Sequence, residues 1–198
     1  MLTGFKHQYC IQRDGKGGGR WVATAKFNPR TKKFADHANN PQEGWQSVWV
    51  VPWPEVDGTG DRKPLTQHQL FARMCAWDDE NYLLAASTKG TSDRNTTNGL
   101  IDNHAYSILE CANNVAGTGV HMIQVRNPWG GARGGMIEKG MFNTTGAGWK
   151  KYPQIKKALN PLFADDGVFW LTMEEFFKHY ETIWLSGVSM TKFFKHKK

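Results

Sequence analysis

Apolar and polar residues alternate along several short stretches of the chain and recur at helical spacing in others. Residues 103–109 (Asn103-His104-Ala105-Tyr106-Ser107-Ile108-Leu109) alternate as a half-buried strand does, and residues 113–119 are rich in Asn and Gly. The apolar run 120–125 follows, so the pattern predicts an antiparallel hairpin. With the turn centred between Val115 and Ala116, Tyr106 falls opposite Val125, Ile108 opposite Ile123, and His104 opposite Asn127. Strands are also expected at 20–27, at 45–51 before Pro52 and Pro54, at 82–87, at 168–171 after the Asp165-Asp166-Gly167 turn, and at 182–188.

Helical spacing appears where Leu70, Phe71, Met74 and Trp77 follow Thr66-Gln67-His68-Gln69, a capping box with Leu65 and Leu70 placed as a staple. A helix over 67–77 follows. Thr172-Met173-Glu174-Glu175 is a second capping box, opening a helix through Tyr180 with Phe176, Phe177 and Tyr180 on its packing side. Glu174 and Glu175 suit a helix N-terminus by charge, so they are not read as a catalytic pair, and His179 has the same structural explanation. A short helix over 154–159 ends at Asn160-Pro161. The sum is an α+β domain, antiparallel sheets with flanking helices.

The 198 residues, 39% hydrophobic with nine Trp, are enough to bury a core. The net charge of +7 is spread over most of the sequence, with a local excess in the basic aromatic tail near Lys195, Lys197 and Lys198, a linker or a contact for anionic membranes. Trp21, Trp45, Trp49 and Trp53 among Arg20, Lys26, Arg30, Lys32 and Lys33 could stack single-stranded nucleic acid. Aromatic residues in strands are more often core, so nucleic acid is disfavoured as a partner. The glycines at 15–19 lack the P-loop pattern and read as a plain turn. Cys10, Cys75 and Cys111, odd in number and irregularly spaced, indicate neither a disulfide framework nor a zinc site. With no signal-like N-terminus and no long apolar run, the expectation is an intracellular, cytoplasmic protein without a transmembrane segment.

The hairpin carries the candidate chemistry. An Asn opposite a His accepts from one imidazole N–H, fixes the tautomer, and leaves the second ring nitrogen to take a proton from a thiol. Trp129, two residues on, could roof that bond. On pairing alone, a His and an Asn that merely cap a sheet edge remains the commoner arrangement.

Three motifs in this order and spacing, DNHAYSI (102–108), VRNPWG (125–130) and DDGVFWLTMEEFFKHY (165–180), resemble the second catalytic subdomain of the calpain family of cysteine proteases. The resemblance covers residues 65–188, so 1–64 reads as an atypical Trp-rich, strand-rich insertion and 189–198 as a basic tail or linker. It implies a cysteine endopeptidase in which His104 is the general base, Asn127 its orienting partner and Trp129 the shielding indole. Protein or peptide substrates would be its partners. It also implies that a loop in 89–99 gates the cleft.

Leu2-Thr3-Gly4 is similar to the segment that in calpains follows the nucleophile-bearing subdomain, which would place that subdomain outside this chain. No cysteine here is read as the nucleophile. Cys10 lacks the Gly-Asp-Cys-Trp surroundings, Cys75 lies within the 67–77 helix, and Cys111 is expected on the strand face opposite His104. The chain alone is therefore expected to be inactive. After Gly130 the sequence departs from the family, with no carboxylate until Glu138, so calcium binding here is in doubt. Asp78, Asp79, Glu80 and Asp93 are the other carboxylates considered, and calcium is left open for the full-length protein. The alternative function is a non-catalytic calpain-like module that binds protein partners.

Overall fold

The computed structural model of the protein describes residues 8–13, 19–28, 33–34, 46–49, 63–94, 96–131, 136–187 and 189–191. In chain order the elements are β1 (Gln8–Arg13), β2 (Trp21–Asn28), β3 (Lys33–Phe34), β4 (Gln46–Trp49), α1 (Gln67–Asp79), β5 (Leu84–Thr88), β6 (Thr96–Thr97), β7 (Leu100–Ile101) and β8 (Ala105–Ala112). A 3₁₀ turn at Val115–Gly117 leads to β9 (Met122–Arg126), α2 (Gly148–Lys151), α3 (Pro153–Leu159), β10 (Val168–Thr172), α4 (Met173–His179) and β11 (Tyr180–Ser186). This is the α+β class that the patterning predicts. Among the described residues no helix is long and apolar enough to cross a membrane. Leu2 to Phe5, the glycines before Gly19, Trp45, Trp53 and the tail beyond Thr191 lie outside the described residues.

The chain divides into two compact units. The described residues up to Leu84, with those from Thr182, form the first. Its strand β1 pairs antiparallel with β2 on one side (Ile11 with Ala23) and β11 on the other (Ile11 with Ile183), and β2 also pairs with β3 and β4. Trp21 and Leu65 exchange two backbone hydrogen bonds of 2.8 Å, which place Leu65 just before α1. Thr66 then caps the helix. Its hydroxyl accepts from the Gln69 N–H while the Gln69 side chain accepts from the Thr66 N–H, so two donors with no partner inside the helix are satisfied. Leu70, Phe71, Met74 and Trp77, the helically spaced apolar set, are buried. Trp21 is fully buried too, which makes it core and removes it from any stacking surface.

Residues Ala85–Glu181 form the second unit. Its sheet runs in the order β10, β9, β8, β5, and β6 and β7 pair separately, β6 inside the loop expected at 89–99 and β7 just after it. The β8–β9 hairpin exists, with a register different from the expected one. Ile108 pairs with Val125 instead of Ile123, and a bulge between Ile108 and Glu110 shifts the ladder so that Cys111 pairs with Ile123. The tight turn that was to centre between Val115 and Ala116 is a 3₁₀ turn with Asn114 and Ala116 at positive φ, and it consumes residues differently from a simple reversal.

The bulge also overturns the face assigned to Cys111. Tyr106, Ile108 and Cys111 are all buried, while Leu109 and Glu110 are exposed. Simple odd–even parity fails across the extra residue, and Cys111 shares the core face.

β10 continues the sheet beside β9, with Phe169 opposite Val125 and Leu171 opposite Ile123. The second capping box forms as predicted, Thr172 with Glu175, and α4 ends at His179, one residue early, where Tyr180 turns extended. Phe176 and Phe177 are fully buried. A satellite core of Val115, Met122, Phe142, Trp149, Ile155 and Trp170 holds α2 and α3 against the hairpin end of the unit.

Candidate active site

His104 enters the site from a sharp reversal. Asn103 adopts a left-handed φ of 47°, a conformation that Asn tolerates better than most residues. Asn127 stands where β9 leaves its ladder, its N–H donating to the Gly167 carbonyl at 2.9 Å. Beyond the strand ends the two side chains meet, His104 Nε2 lying 3.0 Å from Asn127 Oδ1. The contact expected from sequence is therefore present, although the register from which it was predicted is not.

The orientation of the Asn127 amide is fixed by its other partners. Oδ1 also accepts from the Trp129 N–H at 3.0 Å, and Nδ2 donates to the Gly130 carbonyl at 3.1 Å. A flipped amide would set donor against donor and acceptor against acceptor at both contacts. Because Oδ1 is an acceptor only, His104 Nε2 must carry the proton. In the neutral ring Nδ1 then holds a lone pair, the atom suited to take a proton from an acidic donor.

The surroundings exclude water from this bond. Asn127 is fully buried and His104 nearly so, while Trp129 is about half exposed and lies over the imidazole with ring centroids 4.3 Å apart. Tyr106 presents its ring at right angles to His104 at 5.2 Å. The partner of the ring is a neutral amide, so Asn127 orients His104 without the electrostatic stabilisation of the imidazolium that a carboxylate would add.

Gly167 is the residue of this site that sequence reading passes over. Its φ is +81°, and a Cβ there would meet the Asn127 carbonyl oxygen at 2.8 Å and backbone atoms of Gly130 at 2.9 and 3.0 Å. Asp165-Asp166-Gly167 announces a turn; its close approach to Asn127 is a tertiary fact. Gly167→Ala is expected to cost about 2 kcal/mol from the left-handed backbone alone and to push Asn127 away from His104. Chemical denaturation, with the His104 ring nitrogen shifts as second readout, measures both, and an unchanged midpoint would count against the crowding.

The three cysteines form no disulfide. Burial first, then Asp79 and Asp78 at the end of α1, push the Cys75 thiol up to about 12, which makes it a poor nucleophile at neutral pH. Cys111 lies seven residues along β8 from His104, on the order of 20 Å at ~3.3 Å per residue. Cys10 occupies the middle of β1 between β2 and β11. Among the described residues no group of three or more His, Cys, Asp or Glu converges to hold a metal ion.

Comparison with known proteins gives the family. The model of the calpain family of cysteine proteases matches residues 44–186. The chain is 28% identical over 126 residues to the calpain-type cysteine protease DEK1 of Zea mays and 29% identical over 129 residues to Calpain-A of Drosophila melanogaster. These matches cover 63% and 61% of this chain, and 6% and 15% of those proteins. Calpain-9 of Rattus norvegicus is 32% identical over 95 residues, 46% of this chain and 13% of that protein. The chain thus spans a small part of the curated relatives it matches. With a family model matching most of its length, it belongs to the calpain family of cysteine proteases.

Proposed function

We propose that this chain supplies the His/Asn half of a calpain-type cysteine endopeptidase, with His104 as general base, Asn127 as its orienting partner and Trp129 as the shield of their hydrogen bond. The observation that supports it is the 3.0 Å contact between His104 Nε2 and Asn127 Oδ1, with the amide locked by Trp129 and Gly130. Nδ1 is thereby left to work on a thiol. In the assigned cycle, a cysteine from a segment other than those described gives its proton to Nδ1, and the thiolate attacks the substrate carbonyl carbon. The imidazolium returns that proton to the leaving amine as the C–N bond breaks, and water then attacks the thioester with His104 again as base. Asn127 holds the ring through both transfers.

The subdomain is assigned to residues 65–188, with 1–64 as an insertion and 189–198 as a basic tail or linker. Proteolysis inside the cell, on protein or peptide substrates, is part of the same proposal. So is calcium regulation of the full protein.

On this reading the chain Met1–Lys198 alone neither hydrolyses a peptide substrate nor takes up a thiol-directed covalent inhibitor at one site. Intact mass and peptide mapping after exposure to an epoxide inhibitor measure this. Stoichiometric labelling of Cys10 that His104→Ala abolishes would overturn the assignment of the nucleophile to another segment.

A further inference from the structure

The reversal that delivers His104 buries backbone groups that need partners, and two side chains beyond His104 and Asn127 take them. The Ile101 N–H donates to Tyr106 Oη at 3.1 Å. The Thr88 hydroxyl donates to the Ile101 carbonyl at 2.6 Å and accepts from the His104 N–H at 3.1 Å. The Thr88 N–H donates to the His104 carbonyl at 3.1 Å. Both backbone polar groups of Ile101 and both of His104 therefore end on Thr88 or Tyr106, and each of these residues is almost fully buried. The left-handed Asn103 lies between the clamped residues, its N–H donating to the Lys89 carbonyl at 3.1 Å.

We propose that Thr88 and Tyr106 are positioning residues for His104: their hydroxyls clamp the turn at Ile101 and His104, so that imidazole Nε2 meets Asn127 and Nδ1 stays free for the thiol. The proposal rests on the reading of His104 as general base. Neither residue touches the reacting atoms. Thr88 acts through the His104 backbone, and Tyr106 acts through Ile101 and through the edge of its ring against the imidazole. Burial pushes the Tyr106 hydroxyl up to about 12, so it remains neutral across the working range.

The test uses the chain Met1–Lys198 labelled with ¹⁵N, and reads the ring nitrogen shifts of His104, which report the tautomer directly. In the parent chain the Nε2–H form should dominate. Thr88→Val keeps the shape of the side chain and removes the hydroxyl, leaving the His104 N–H and the Ile101 carbonyl without it. Its Nδ1–H population is expected to rise about tenfold, the consequence of losing a buried hydrogen bond. Thr88→Ser should restore the parent spectrum. Tyr106→Phe keeps the ring and should move the tautomer in the same direction as Thr88→Val.

Folded Thr88→Val and Tyr106→Phe chains whose His104 tautomer matches the parent would overturn the proposal. If Thr88→Val does not fold, Tyr106→Phe decides alone. A merely structural role lowers stability and leaves the tautomer in the folded fraction unchanged. In the native enzyme Thr88→Val is expected to lower kcat about tenfold at constant KM. Should His104→Ala leave that enzyme active, the general-base reading fails, while the clamp still stands or falls on the ring spectra.

Discussion

Replacing His104, the proposed general base, with Ala in the native protein is expected to lower kcat/KM for peptide hydrolysis about 10²- to 10⁴-fold, the range that a positioned acid–base group contributes. The loss has two parts. The thiol no longer has an acceptor for its proton, and the departing amine no longer has a donor. Asn127→Ala should cost less, because the imidazole remains, yet it removes the acceptor shared by His104 Nε2 and the Trp129 N–H. A ring free to adopt the other tautomer offers a proton where a lone pair is needed. Steady-state hydrolysis of a fluorogenic peptide by the two variants orders these effects, and a His104→Ala enzyme within tenfold of the parent would remove His104 from the mechanism.

The second large effect concerns stability. Phe176 is fully buried on α4, stacked at 4.6 Å on Tyr180 and set edge-on to Phe177 at 5.4 Å. Phe176→Ala is expected to cost about 3–5 kcal/mol, the transfer loss plus the cavity left among rigid rings. That is a large part of the ~5–15 kcal/mol by which domains are stable. Thermal unfolding followed by circular dichroism should show a fall of about 10 °C or more. A shift of only a degree or two would mean that the neighbouring rings close the gap.

Local signals in the sequence carried far. Both capping boxes, the apolar spacing of Leu70, Phe71, Met74 and Trp77, and the turn before β10 are short-range features whose physics lies within a few residues, and each appears where expected. The His104–Asn127 contact was legible because both residues border the same hairpin. Its register was not, since the bulge near Leu109 and the 3₁₀ turn at Val115–Gly117 are settled by packing on both sides of the sheet. One extra residue sufficed to move Cys111 from the predicted face opposite His104 to the buried face of Tyr106 and Ile108.

The supporting shell was the least readable part. Thr88 closes an apolar run and lies sixteen residues before His104, and Gly167 lies forty residues beyond Asn127. Nothing in either local sequence marks a hydroxyl that will hold a histidine backbone, or a glycine against which an asparagine carbonyl will rest. Such contacts come from the tertiary fold, and periodicity has no access to them.

The pairing of β1 with β11 bears on how the chain is made. Gln12 pairs with Thr182 and Gln8 with Ser186, so at ~5–20 residues per second a ribosome needs on the order of 10–30 s to deliver the partner of the first strand. The continuous stretch Ala85–Glu181 can meanwhile collapse on its own contacts. β2 emerges early and covers one side of β1, and the other side keeps its unpaired N–H and C=O groups until β11 has been synthesised. So long a sequence separation slows closure of this pair, and the waiting edge of β1 leaves a nascent chain open to aggregation and to chaperones.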